Sequence, residues 1–440
     1  MAAVIAILLA WRSVAYPLAL AGIPTLIDAV VGSNPFPKGL VTFLLAAWIG
    51  LGIIFALMRE DHGLGGRVLL SAPVALSLVF LGLMILRLGP SPDEAYGSVK
   101  VQLYVADDLM FLIGALFVGS RRSELRRFLL LTLAITAGGA LLLLFELLSG
   151  SAKAVVGERF SLTPQEYPIA LARSSADGIL IAIYAVLAAS RASVRLWALA
   201  VLPVLVVAML AAGSRGPVLA FLFGLIALIA LTAAGGRARR RLLLVGAGLL
   251  VATVIVPLVV PGSALGRALS AIVGGASGLS TNGRAHLWSQ AFTAFAEHPL
   301  LGIGTGGFAA LSAETYPHNI LLESACELGL VGALVMLGIL GSSLSRLIRL
   351  WRSAPGAQAL DAGLLIALFL SALINALFSG AIQDNQGIWI WAGLGLAMSA
   401  RIASQASLLA PRARTQANPA PIAARLARPR SIRSRGLRAQ

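Results

Sequence analysis

The run Tyr316-Pro317-His318-Asn319 stands directly before an apolar segment that begins at Ile320, and it places a titratable ring beside a helix start. Asn319 is a good N-cap, because its side chain can accept from the free N–H groups of a first turn. His318, one of four histidines in the chain, then sits just before the helix, where an imidazole can take a proton from an attacking hydroxyl near neutral pH. A second capping or interfacial role is the alternative. Two arginines point to anion chemistry. Arg215 lies in GSRGP between two apolar runs, where Gly213 and Gly216 allow close backbone approach and a new helix start aims N–H groups outward. The alternative there is a snorkelling side chain. Arg284 lies in NGRAHLW, in the first turn of an amphipathic segment whose Leu287, Ala291, Phe292 and Phe295 have helical spacing. It reads equally as a surface charge. HPLLGIGTGGF, with Gly302, Gly304, Gly306 and Gly307, forms either a phosphate cradle or a tight turn. His286 and His298 read as structural.

The acidic residues are few. Glu323 and Glu327 share one helix face below His318 and, inside an apolar segment, call for a partner or a function. Arg173 and Asp177, four apart, read as an intrahelical pair. Asp107, Asp108 and the Asp384 of QDNQG have the chemistry of a Mg or Mn ligand set, but neither stretch shows further oxygen ligands nearby, so no metal site is expected. The single cysteine, Cys326, excludes an internal disulfide and a cysteine metal cluster, and is expected to pack as a small apolar residue. No cofactor is called for.

These residues must be positioned by membrane helices. With 58% hydrophobic residues, 12% charged and a mean hydropathy of +0.90, the chain is far outside soluble usage. Apolar runs long enough to span a bilayer recur near 13–31, 39–58, 67–88, 102–119, 128–148, 167–189, 196–213, 217–233, 242–260, 319–341, 360–379 and 386–400. The expected fold is all-α and polytopic, with about twelve transmembrane helices; a barrel would show short alternating segments instead. Basic residues alternate loop by loop: 25 of the 34 fall on one side, which is assigned to the cytoplasm together with both termini. The net charge of +16 follows from that topology and from contact with anionic lipid, and does not imply nucleic acid. The first 30 residues lack a basic n-region and a small-residue cleavage site, so 13–31 is read as a retained span. Residues 1–402 form the membrane domain, with one large outer loop at about 261–318; residues 403–440, rich in Ala, Arg and Pro, are expected to form a disordered basic cytoplasmic tail.

The set GSRGP, NGRAHLW, HPLLGIGTGGF and YPHNILLESACELGLVG, in that order and on one side, resembles the O-antigen ligase and polymerase superfamily of bacterial envelope enzymes over about residues 205–345. The resemblance implies a GT-C-like, all-helical glycosyltransferase of the bacterial inner membrane. Its active site would face the periplasm and use an undecaprenyl-diphosphate-linked glycan. Arg215 and Arg284 fall on the family's paired arginines, expected to hold the donor diphosphate, and His318 on its loop histidine. Arg159 and Arg173 are weaker candidates for substrate contact, as are Gly304 and Asn319. Chemistry then suggests a metal-independent, inverting transfer: guanidinium forks stabilise the leaving diphosphate while His318 deprotonates the acceptor hydroxyl. The acceptor is expected to be lipid A core, as in an O-antigen ligase. A repeat-unit polymerase acting on a growing glycan and a protein O-oligosaccharyltransferase are alternatives. A lipid-linked glycan flippase would show charge lining a mid-membrane cavity and inverted repeats, neither of which the sequence displays.

Overall fold

The computed structural model describes residues 2–21, 38–59, 68–151, 154–156, 159–161, 168–232, 240, 245 and 282–416. In chain order these form α1 (Ala2–Arg12), α2 (Ala15–Ala21), α3 (Lys38–Met58), α4 (Ala72–Leu86) and α5 (Glu94–Leu103). A π-helical turn, Tyr104–Leu109, leads from α5 into α6 (Met110–Gly119), followed by α7 (Arg122–Ser149). Next come β1 (Ala154–Val156) and β2 (Arg159–Phe160), α8 (Pro168–Ala188), α9 (Ala192–Ala211) and α10 (Arg215–Thr232). The last elements are α11 (Asn282–Glu297), α12 (Ile320–Ser353), α13 (Ala357–Phe378) and α14 (Gln386–Gln416).

Among the described residues, eight helices are long and apolar enough to cross a membrane. They are α3, the continuous α5–α6 unit, α7, α8, α9, α10, α12 and α13, and each coincides with an expected span. The expected span near 67–88 is the shorter helix α4, and that near 386–400 begins α14. Apart from Val245 the span near 242–260 lies outside the described residues, as do the loop's residues 261–281 and residues 22–31 of the span near 13–31. Among the described residues the β content is one ribbon, in which Ala154 pairs with Phe160 and Val156 with Arg159. Helix α14 continues past Ala403 to Gln416, into the segment expected to be a disordered tail. The Ala, Leu, Gln and Arg residues there are good helix formers and extend the preceding span.

Helix α8 lies at the centre, packed against α7, α9, α10 and α13, and every residue from Gly178 to Val186 is buried. Small residues let the backbones meet. A Cβ on Gly224 would lie 2.9 Å from the Ala367 carbonyl oxygen, so α10 and α13 touch there almost backbone to backbone. One end of the bundle collects the basic loops: Arg122 pairs with buried Asp361 at 2.9 Å, Tyr184 donates to the same carboxylate at 2.6 Å, and Arg401 reaches the Gly119 carbonyl at 3.4 Å. The opposite end carries the turns before α5, α8, α10, α12 and α14 and will be called the loop end.

Gly224→Leu is expected to force α10 off α13 and to lower the thermal midpoint in detergent by several degrees, in line with the ~1–3 kcal/mol of overpacking. Gly138→Ala, where a Cβ would meet nothing within 4 Å, should leave the midpoint unchanged or slightly raised.

Candidate active site

His318 is held at the loop end by its two neighbours in sequence. Asn319 caps α12 as expected, its Oδ1 accepting from Leu321 at 3.0 Å and Leu322 at 3.1 Å. The Pro317 carbonyl accepts from the indole N–H of Trp288 at 3.0 Å, which ties the segment to α11. Between these two anchors His318 adopts φ 59°, and among the described residues it is the one non-glycine residue in the left-handed region. That conformation costs on the order of 1–3 kcal/mol and persists only where the surroundings impose it. The ring stacks edge-on to Tyr316 at 4.7 Å, and the Gly380 N–H donates to its Nδ1 at 3.3 Å. Partial burial and the Arg284 guanidinium both push the imidazole below its ordinary value of 6.5, so the ring is neutral at neutral pH.

Arg284 reaches this ring because α11 is amphipathic. Leu287, Ala291 and Ala294 face inward and form a small core with Phe308 and Cys326, while Phe292, expected on that face, is exposed. Arg284 falls in the first turn, as anticipated. Arg215 opens α10, exposed. Its neighbour Gly216 lies against Phe378 at the end of α13, and the Phe378 ring is 6.4 Å from that of Trp288. The two arginines thus flank one aromatic contact at the loop end.

The side of the site opposite α11 is the turn 379–385. Arg173 does not close an intrahelical pair with Asp177; its Nη1 donates to the Asp384 carbonyl at 2.9 Å and its Nη2 to the Ser379 carbonyl at 2.7 Å. Helix α8 brings Arg173 under this turn, where its terminal nitrogens reach both carbonyls, while Asp177 acts on it only through the electrostatic field. Asp384 closes the turn from within, its Oδ2 accepting from the Ala381 N–H at 2.9 Å. The π-helical turn carrying Asp107 and Asp108 packs against Ile382–Asp384, so acids far apart in the chain become neighbours. Among the described residues no group of three His, Cys, Asp or Glu side chains is arranged to hold a metal ion.

Beneath the site the partner demanded by Glu323 and Glu327 is Lys100, from α5. Its ammonium lies 2.7 and 2.6 Å from the two Glu327 oxygens and pairs also with Glu323, with all three side chains withdrawn from solvent. Glu323 accepts from the Ile382 N–H at 3.0 Å, and Glu327 from the Gly306 N–H at 2.9 Å. The glycine run explains itself here. Helix α12 breaks at Gly329, φ 67°, and the freed carbonyls of Cys326 and Glu327 accept from Ile303 and Gly304 at 3.0 and 2.9 Å. A Cβ on Gly304 would lie 2.5 Å from Ser91, and Arg87 ties down the Leu301 and Gly302 carbonyls at 3.0 and 2.9 Å. Of the two readings for this segment, the tight turn fits. The N–H groups of Gly304 and Gly306 are already used, by Glu327. Asn319, likewise, spends its Oδ1 on the cap. Arg159 contributes backbone to the β ribbon.

A family model described as O-antigen ligase matches residues 198–337. Over those residues, about a third of the chain, the protein is similar to the O-antigen ligase family. The comparison with curated proteins gives no match. The matched stretch runs from α9 into α12 and contains Arg215, Arg284, Gly304, His318 and Asn319. It does not contain Lys100, Arg173 or the turn 379–385, which pack around the candidate site from outside the matched stretch. Nothing in the sequence joined these to His318, because each lies more than 60 positions from it in the chain and is met only through packing.

Lys100→Met is expected to leave two buried carboxylates without a counter-charge, at a cost of about 3–5 kcal/mol. Thermal unfolding of the purified variant should show a marked loss of stability, whereas Arg240→Met at the basic end should show none.

Proposed function

We propose that this protein is a metal-independent, inverting glycosyltransferase that moves a glycan from an undecaprenyl diphosphate carrier to an acceptor hydroxyl on the periplasmic side of the bacterial inner membrane. The observation that carries this reading is the meeting of Arg284 with a neutral His318 at the loop end, inside the O-antigen ligase match. Arg215 and Arg284 supply planar guanidinium forks that fit two phosphate oxygens at once, and so stabilise the diphosphate as it leaves. The acceptor oxygen attacks the anomeric carbon from the opposite side, the carbon–oxygen bond to the diphosphate breaks, and His318 takes the hydroxyl proton. Asn319 and Gly304 hold the backbone that presents these groups. Arg159 is assigned no contact. Within the superfamily the reading is an O-antigen ligase with lipid A core as acceptor, on the description of the matching family.

The Gly380 contact favours a second role for the ring. A neutral imidazole that accepts at Nδ1 carries its proton on Nε2, and in that tautomer His318 donates to a diphosphate or acceptor oxygen. The base role requires Gly380 to release Nδ1 when the acceptor enters.

His318→Ala is expected to reduce transfer at least 100-fold with the protein still folded and inserted. Arg215→Lys and Arg284→Lys should each raise the donor KM or lower kcat tenfold or more, since a point charge cannot replace a fork; normal kinetics in both would sink the clamp. The pH profile separates the two roles of His318. As a base it gives an acidic limb below the ordinary imidazole value of 6.5, because protonation removes the lone pair at a depressed pKa. Arg284→Gln then moves that limb to higher pH, since loss of a neighbouring positive charge favours the protonated ring. A donor keeps its Nε2–H in acid and gives no such limb.

A further inference from the structure

Next to the turn 379–385, between α7, α8, α13 and the start of α14, lies a cavity of about 130 Å³. A single water needs roughly 10–15 Å³ on this measure, so the space admits a ring-sized group. The charge lining that the sequence did not display is here: Arg173, Asp177 and Asp384 all contribute to its wall. Four of the residues that line it also keep a buried polar atom with no hydrogen-bond partner among the described residues: Thr132 Oγ1, Arg173 Nε, Asn375 Oδ1 and Trp391 Nε1. Asn375 is 5% exposed and Trp391 2%. Each such atom costs on the order of 1–3 kcal/mol, and four around one cavity indicate a polar ligand that supplies what the protein does not.

We infer that this cavity is a binding site for a neutral sugar ring. The unmet groups are mixed: Trp391 and Arg173 offer N–H donors, Asn375 an acceptor and Thr132 both. A hydroxyl group both donates and accepts, so a polyol satisfies all of them. An anion would meet the carboxylates of Asp177 and Asp384, a cation would meet Arg173, and a prenyl chain would leave all four polar atoms unmatched. Phe128 and Trp391, whose rings meet at 5.9 Å, give the apolar wall that the C–H face of a sugar needs. Arg173 belongs to both places: its terminal nitrogens hold the turn that contacts His318, it lines the cavity, and its Nε is one of the four unmet atoms. A sugar here is therefore adjacent to the transfer site. Only the source of that sugar, acceptor or donor glycan, rests on the transferase reading.

The test uses the full chain in lipid nanodiscs and equilibrium binding of three labelled neutral probes: lactose, maltotriose and chitobiose. Saturable binding of at least one is expected, weakened tenfold or more by Asn375→Leu, which keeps the branched shape and removes the amide oxygen and nitrogen, and by Trp391→Phe, which keeps an aromatic ring and removes the indole N–H, and not displaced by farnesol. Absence of saturable binding for all three probes, wild-type affinity in the folded variants, or displacement by farnesol overturns the site. Should Asn375→Leu not fold, Trp391→Phe and Thr132→Val carry the same comparison. Steady-state transfer then identifies the source: a raised acceptor KM assigns the sugar to the acceptor, a raised donor KM to the donor. Sugar binding in a protein that transfers nothing defeats the transferase reading and leaves the site. Normal transfer with unaltered binding in the variants defeats the site alone.

Discussion

Lys100 carries its charge to a place that water does not reach, and the carboxylates of Glu323 and Glu327 make that burial tolerable. Three buried charges of this kind contribute little net stability, because desolvation offsets most of their attraction. Their effect is to specify geometry. Glu327 also holds the Gly306 N–H, and Glu323 the Ile382 N–H, so one lysine aligns α5, the glycine run, the first turns of α12 and the turn before α14. The glycine run and the turn are irregular backbone at the end of a membrane bundle, where stray N–H and C=O groups are costly unless protein satisfies them.

The residues of the candidate site hang on that frame. His318 keeps a left-handed backbone because Asn319 caps the helix on one side and Trp288 grips Pro317 on the other. Arg173 closes the opposite wall through two backbone carbonyls, so the turn 379–385 stands at a set distance from the imidazole. The break at Gly329 belongs to the same design. It frees two carbonyls of α12 for the glycine run, which gives that run a packing role.

Two families of polar groups coexist here with different physical duties. Those of the lysine cluster are paired, dry and positional. Those of the neighbouring cavity, Thr132, Asn375 and Trp391, are buried with polar atoms that no described residue satisfies, which is what the proposed sugar site draws on.

Composition and the spacing of apolar runs by themselves determined a multi-pass helical protein, since a span needs about 20 apolar residues whatever it packs against. Short-range chemistry was equally legible: Asn319 before Ile320 makes a cap, and NGRAHLW begins an amphipathic helix, because both are settled within a turn or two. Tertiary structure alone decided which charges meet. Arg173 and Asp177 sit four apart, yet Arg173 bonds to a turn more than 200 positions away. Lys100 found Glu323 and Glu327 across a similar distance. Such pairings depend on which helix ends lie side by side, and a membrane span of nearly uniform apolar residues encodes little about its neighbours.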